Sequence, residues 1–309
     1  MKRILFFVIG ILLILVGVVG WILPVMPGWP FIFLGLSFIA PRLAERVKHR
    51  VLRKLFKQDF VLLDSWKKNG TQAGFTTRHF PLVLKKTDDL LDSQKQEQFI
   101  RYFSKLNNNP SGQSGLFEKF ALLNQVHGDG VAVLFGPEKY SEKGFYHIPQ
   151  CDAAITDIQG MTLLVFTADC LSVFFSAGSW VGLAHAGWRG TQKKITAKTF
   201  QLLLENSGVS SGEVKISFGP SIGVKHYEVG QEFQNIFPSS SLMFIGKGSH
   251  RSLHFDLAKE NKRQLLELEA DPKNMADYGI CTVSENKNFY SFRKEKDAAG
   301  RMISFIQRS

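Results

Sequence analysis

Residues 162–206 read TLLVFTADCLSVFFSAGSWVGLAHAGWRGTQKKITAKTFQLLLEN, and the change of pattern along this stretch decides the fold class. Three apolar runs of strand length, 162–166, 171–175 and 180–184, are separated by short breaks of small or polar residues. In 191–206 the apolar residues recur instead at helical spacing. Working outward, 131–135 and 214–218 add two more strand-length runs, while 93–106, 230–237 and 257–270 read as helices, the last with Asp256 as its N-cap. NNNPSGQSG at 107–115 reads as a loop. No repeat or low-complexity run interrupts residues 60–309. Strands and helices interleaved at this spacing predict one α/β domain over 60–309.

Composition agrees. The chain has 309 residues, 44% of them hydrophobic and 21% charged, enough apolar material for a packed core and too much for disorder. The net charge is +11, but its distribution argues against a nucleic-acid-binding domain. Residues 1–57 hold nine Lys or Arg against a single acid, Glu45, leaving 29 bases against 26 acids in the other 252 residues. The three cysteines, Cys151, Cys170 and Cys281, form no CxxC pair, which fits a reducing compartment better than a disulfide framework.

Residues 4–40 contain no charged side chain. One straight helix of that length would span roughly 55 Å, against a hydrocarbon core of about 30 Å. Pro24, Pro27, Gly28 and Pro30 break the run, giving a first span over 4–23 and a second apolar segment over 31–40. A hairpin or a single crossing both place residue 60 onward in the cytoplasm, because the basic cluster at 42–57 follows the apolar segment. That cluster reads as a basic amphipathic helix suited to an anionic lipid surface. The other reading of a basic start before an apolar run, a cleaved signal peptide, fits poorly with the length of the run and the lack of a small-residue cleavage site before Trp21. The segment LPVMPGWPFIFLGL at 23–36 resembles the small PGPGW family of transmembrane proteins, with Val25-Met26 where that family has a second Pro-Gly. The expected organisation is a membrane anchor over 1–57, held through residues 4–40, and an enzymatic domain over 60–309 on the cytoplasmic side.

Three motifs in the second domain carry metal-ligand chemistry: Gln125-Val126-His127-Gly128, Thr167-Ala168-Asp169-Cys170 and Ala184-His185-Ala186-Gly187-Trp188-Arg189-Gly190. Each sets a soft or borderline ligand at the end of an expected strand, beside small residues that leave room and let backbone approach. Two imidazoles and one thiolate, His127, Cys170 and His185, suit zinc with a fourth position open. On spacing alone, a core histidine and a small buried cysteine explain the same residues.

The three motifs, in this order, resemble the laccase-domain or polyphenol-oxidase-like family that includes the YfiH-type proteins. Phe218-Gly219-Pro220-Ser221-Ile222-Gly223 with Tyr227-Glu228-Val229-Gly230, and Cys281-Thr282 with Phe289-Tyr290-Ser291-Phe292-Arg293 and Gly300-Arg301-Met302, extend the likeness from about residue 72 to the end. The resemblance implies a layered mixed-sheet α/β fold and a metal, usually zinc, held by His127, Cys170 and His185. It also implies phosphorolysis of purine nucleosides, with adenosine deamination and methylthioadenosine phosphorolysis also ascribed. Copper-dependent phenol oxidation is the older description of the family, and some bacterial members are linked to peptidoglycan precursor editing. The chain departs from the pattern in two places. Gly74-Phe75-Thr76-Thr77-Arg78 is followed by His79-Phe80-Pro81 instead of glycines and by no SLN segment, and Ser172 stands where a proline often follows TADC.

For phosphorolysis, Arg189, in a glycine-rich turn before a helix, can hold the phosphate, and Arg78 and Arg293 are the other candidates. For deamination, Gln125 or Asp169 can position a water, although Asp169 is better suited to orienting a histidine ligand. Cys281 reads as buried structure, and His79, His147, His226 and His250 as ordinary. Three rivals stay open. Cys170 and His185 can form a thiol hydrolase without metal, a copper site can oxidise phenols, or the fold can serve as a non-catalytic membrane adaptor.

Overall fold

The computed structural model describes residues 57–63, 70–104, 106, 117–246, 248 and 251–308. The anchor expected over 4–40, the basic segment up to residue 56 and the loop at 107–115 lie outside the described residues. Among the described residues no helix is long and apolar enough to cross a membrane.

Among the described residues the strands form two mixed six-stranded sheets and one small three-stranded sheet. In order across the first sheet run Phe60–Leu62, Thr71–Thr76, Met302–Arg308, Met161–Thr167, Lys119–Leu123 and Gly144–Ile148. The second runs Met275–Asp277, Lys215–Phe218, Leu171–Ala177, Trp180–Ala186, Ala153–Thr156 and Val131–Leu134. Continuous apolar runs mark the central strands, and every residue of Met161–Thr167, Leu171–Ala177 and Trp180–Ala186 is buried.

Each sheet has its own apolar cluster. The helix Ser93–Ser104 brings Phe99 and Phe103 onto Phe120, Leu164 and Phe305 of the first sheet. The helix Ile195–Ser207 brings Ile195, Phe200 and Leu203 onto Val173, Phe175 and Ile216 of the second, joined there by Leu257 and Leu265 of the helix Leu257–Leu266. Two pairs of hydroxyl side chains link the sheets. Ser304 Oγ donates to Ser172 Oγ at 2.8 Å, and the Thr71 and Ser176 hydroxyls lie 3.3 Å apart. Ser172 therefore ties the two sheets together.

Most expected elements are present with altered ends. The helix expected over 191–206 is two pieces, Trp188–Gln192 and Ile195–Ser207, broken where Lys194 takes a left-handed φ of 63°. Of the helix expected over 230–237 only the single turn Phe233–Ile236 forms. The helix expected over 257–270 ends at Leu266, and Asp256 does cap it by accepting the Lys259 N–H at 3.0 Å.

Phe305 is fully buried and its ring meets Phe60, Phe103 and Phe117 at 6.0, 5.1 and 5.6 Å. Phe305→Ala should lower the unfolding free energy by about 3–5 kcal/mol in urea titration, whereas truncating Leu91, 61% exposed, should change it by less than about 0.5 kcal/mol.

Candidate metal centre and its cavity

The site is built where the chain crosses twice between the two large sheets. After Lys119–Leu123 the QVHG motif leads from the first sheet to Val131–Leu134 of the second, and Ala168-Asp169-Cys170 joins Met161–Thr167 directly to Leu171–Ala177. The hairpin register then does the rest. Leu171 pairs with Ala186 and Ser172 with His185, so Cys170, one residue before the first rung, meets His185. The ligand atoms of His127, Cys170 and His185 all lie within 4.8 Å of one another, and the two imidazoles meet edge to face with centroids 4.8 Å apart.

A single carboxylate organises this cluster. Asp152, fully buried, accepts backbone N–H groups from Val126, His127 and Gly128 at 3.1, 2.9 and 2.8 Å. These bonds hold the turn in which His127 adopts a left-handed φ of 57°. Asp152 also accepts from His185 Nδ1 at 2.8 Å, which places the proton on Nδ1 and turns the Nε2 lone pair toward Cys170 and His127. Burial opposes the charge on Asp152, but His185 and the backbone donors outweigh it and keep the carboxyl below its usual range. Burial also opposes the Cys170 thiolate, yet His185 and His127 beside it bring the thiol down to about 6. The His185 imidazole, penalised by burial, is lifted to about 9 by Cys170 and Asp152.

These residues fit a soft or borderline divalent metal. The donor set is one thiolate and two imidazoles, one of them with its tautomer fixed from behind. Gly187 completes the fit, because a Cβ there would lie 3.0 Å from Cys170 Sγ and 3.3 Å from His127 Cδ2.

The three ligands sit in the wall of a cavity of about 560 Å³. Phe166, Ile222, Tyr227, Leu257 and Phe292 supply apolar surface. Arg293 and Arg301 line it as well, with Lys85, Lys86 and Lys296. Asp169 is the one carboxylate among the lining residues. Burial and the nearby Cys170 charge raise the Tyr227 phenol, so that it remains a neutral donor.

The expected site residues divide sharply. His127, Cys170 and His185 converge, and Gln125, Asp169 and Arg293 line the cavity. Gln125, however, spends its amide on the backbone of Phe166, donating to its carbonyl at 2.9 Å and accepting its N–H at 2.7 Å. Asp169 does not orient a histidine; that carboxylate is Asp152. Asp169 instead accepts from Thr282 Oγ1 at 2.6 Å and from the Arg293 N–H at 2.5 Å, fixing the turn that carries Arg293. Arg189 is exposed, stacked 4.4 Å over the Trp188 ring, and is not among the residues lining the cavity. Arg78 pairs with Glu295 at 2.5 Å and stacks 4.5 Å over Tyr290, so it supports the C-terminal turn and does not line the cavity either. Sequence reasoning missed Asp152, which belongs to no motif, and Arg301, whose GRM motif was legible but whose role was not. It also left Cys281 and His226 unpaired, whereas Sγ and Nδ1 lie 3.5 Å apart.

The two aspartates can be separated experimentally. In competition with a metal chelator, Asp152→Asn should weaken metal binding by the full chain by about 10–100-fold, and Asp169→Asn should have the smaller effect. The reverse order would mean that Asp152 does not set the histidine orientation.

Comparison with known proteins agrees with this architecture. The profile of the multi-copper polyphenol oxidoreductase laccase family matches residues 106–309. Purine nucleoside phosphorylase YfiH of Escherichia coli (strain K12) is 34% identical over 190 residues, covering 60% of this chain and 72% of that protein. Purine nucleoside phosphorylase YlmD of Geobacillus stearothermophilus is 29% identical over 199 residues, covering 62% and 73%. The crystal structure of YlmD from Geobacillus stearothermophilus superposes with a TM-score of 0.67 at 25% identity, over 81% of this chain and 96% of that one. With its profile matched from residue 106 to the end and its fold shared with solved members, the chain belongs to the multi-copper polyphenol oxidoreductase laccase family, the YfiH type.

Proposed function

We propose that the chain is a zinc-dependent purine nucleoside phosphorylase whose catalytic unit is tethered to the cytoplasmic face of a membrane by residues 4–40. The observation that carries the reading is the meeting, in one cavity, of the His127–Cys170–His185 donor set with Arg293 and Arg301 beside apolar walls. Relatives named purine nucleoside phosphorylase support it.

The residues suit the reaction. A purine ring needs an apolar, partly aromatic slot, which Phe166, Tyr227, Leu257 and Phe292 offer. Phosphate must approach the ribose C1′ as positive charge develops there, and the guanidinium groups of Arg293 and Arg301 hold an anion at that depth. Arg301 is half-buried, with its Nη1 on the carbonyls of Ala299 and Gly300 at 2.9 and 3.1 Å, so its head is fixed in place. Asp169 fixes Arg293 through the backbone. A divalent ion in the donor set supplies Lewis acidity toward a polar atom of the substrate. Adenosine deamination and methylthioadenosine phosphorolysis belong to the same proposal as side activities.

A second reading rests on a specific observation. Asp152, His185 and Cys170 form a relay in which a low-pKa thiol faces an oriented imidazole, the arrangement of a thiol hydrolase.

Elemental mass spectrometry and a base-release assay on the full chain decide between them. The expected result is about one zinc per chain, lost in Cys170→Ala, with phosphate-dependent release of base from inosine and adenosine. Arg301→Ala should lower kcat/KM by about 10²-fold or more. A metal-free, folded protein with an alkylatable Cys170 would sink the zinc reading in favour of the thiol. Ammonia release from adenosine in the same assay measures the deaminase activity.

A further inference from the structure

The cavity holds more positive charge than one phosphate requires. Five cationic side chains line it against the single carboxylate of Asp169, which is already engaged by Thr282 and the Arg293 N–H. Among the described residues Lys85, Arg293, Lys296 and Arg301 have no carboxylate within ion-pair distance, and Lys86 reaches only the exposed Asp88 at 3.4 Å. Like charges gathered around one concave, partly apolar space repel one another and focus a field that favours an anion.

The charges fall into two groups. Arg293 and Arg301 are partly buried, and the Cys170 and Asp169 charges act on Arg301. Lys85, Lys86 and Lys296 are exposed and form the rim. The rim is held in place by backbone contacts, because the Arg301 N–H donates to the Leu84 carbonyl at 2.8 Å and Lys85 Nζ donates to the Asp297 carbonyl at 3.2 Å. Lys85 and Lys86 come from the segment after Arg78.

We propose that this lysine rim is a phosphomonoester subsite and that the purine substrate arrives as a nucleoside 5′-monophosphate. The choice of substrate rests on the phosphorolysis reading. In the proposed pose C1′ lies beside Arg293 and Arg301, and the C5′ substituent on the far side of the ribose faces the lysines. A phosphomonoester there carries a charge of about −1.5 to −2 at pH 7 and three acceptor oxygens, matching three ammonium groups. In the reaction a hydrogen phosphate oxygen bonds to C1′ and the C1′–N9 bond breaks. The base leaves with the bonding pair and takes the proton of the hydrogen phosphate, and the sugar product is ribose 1,5-bisphosphate. The product would be consumed by an enzyme class that acts on doubly phosphorylated pentoses.

Calorimetric binding of AMP and of adenosine to the full chain, both in saturating sulfate, which fills a phosphate site without attacking C1′, tests the subsite independently of turnover. The expected result is AMP at least tenfold tighter than adenosine, an advantage that shrinks as salt rises. The double variant Lys85→Ala/Lys86→Ala should weaken AMP by about fivefold or more and leave adenosine unchanged, and Lys296→Ala should act in the same direction. Equal affinities for AMP and adenosine in saturating sulfate would overturn the proposal, since the rim would then serve only the free anion. Equal losses for both ligands in the lysine variants would overturn it as well. Tight, lysine-dependent AMP binding without base release from either compound would retire phosphorolysis and leave the phosphomonoester subsite standing.

Discussion

The site depends on one buried carboxylate. Asp152 lies out of contact with water and would be costly there unpaired, by several kcal/mol. It is tolerated because three consecutive backbone N–H groups and one imidazole N–H converge on it. The same four bonds determine where His127 sits, which nitrogen of His185 is free and how far apart the two imidazoles are. Removing the charge would therefore disturb the first crossing and the strand that carries His185 at once.

Backbone strain and ligand placement coincide at those crossings. His127 has a φ of 57° and Asp169 a φ of 91°, left-handed values at non-glycine residues. Each turn is offset by carboxylate bonds. Asp152 takes the N–H groups around His127, and Asp169 takes Thr282 and Arg293 from the C-terminal segment while its own carbonyl accepts the Ile222 N–H at 2.9 Å. The strain is thus held by residues far apart in the chain, and the ligands are rigid because sheets, and not flexible loops, carry both ends of each turn.

Electrostatics divide the cavity into zones. Arg293 and Arg301 are half-buried in its wall, which also holds Cys170, His127 and His185. The exposed Lys85, Lys86 and Lys296 line it too.

How much of this could be read in advance follows from what each feature depends on. Apolar runs of strand length and period-3.6 patterns depend on neighbours in sequence, so the central strands, most of the helix expected over 191–206 and the Asp256 cap were legible. The candidate metal ligands were legible through the resemblance of their three ordered motifs to a known family, and not from spacing alone. The edge strands Phe60–Leu62 and Met275–Asp277, three residues each, carry too little pattern to see. The split of the helix expected over 191–206 was hidden because it turns on one left-handed residue, Lys194. Asp152 could not be identified, since an aspartate before an apolar run reads equally well as a loop residue until the QVHG turn is folded over it. Arg78 and Arg189 looked like anion holders because charge is visible in sequence and partners are not. Folding gave Arg78 to Glu295 and Arg189 to Trp188. The sequence by itself determined the α/β class through local pattern, and pointed to three candidate ligands through motifs that resemble a known family. Only the tertiary structure decided which carboxylate orients the histidine and which cations face the cavity, because hydrogen bonds between residues distant in the chain exist only once the two sheets are packed.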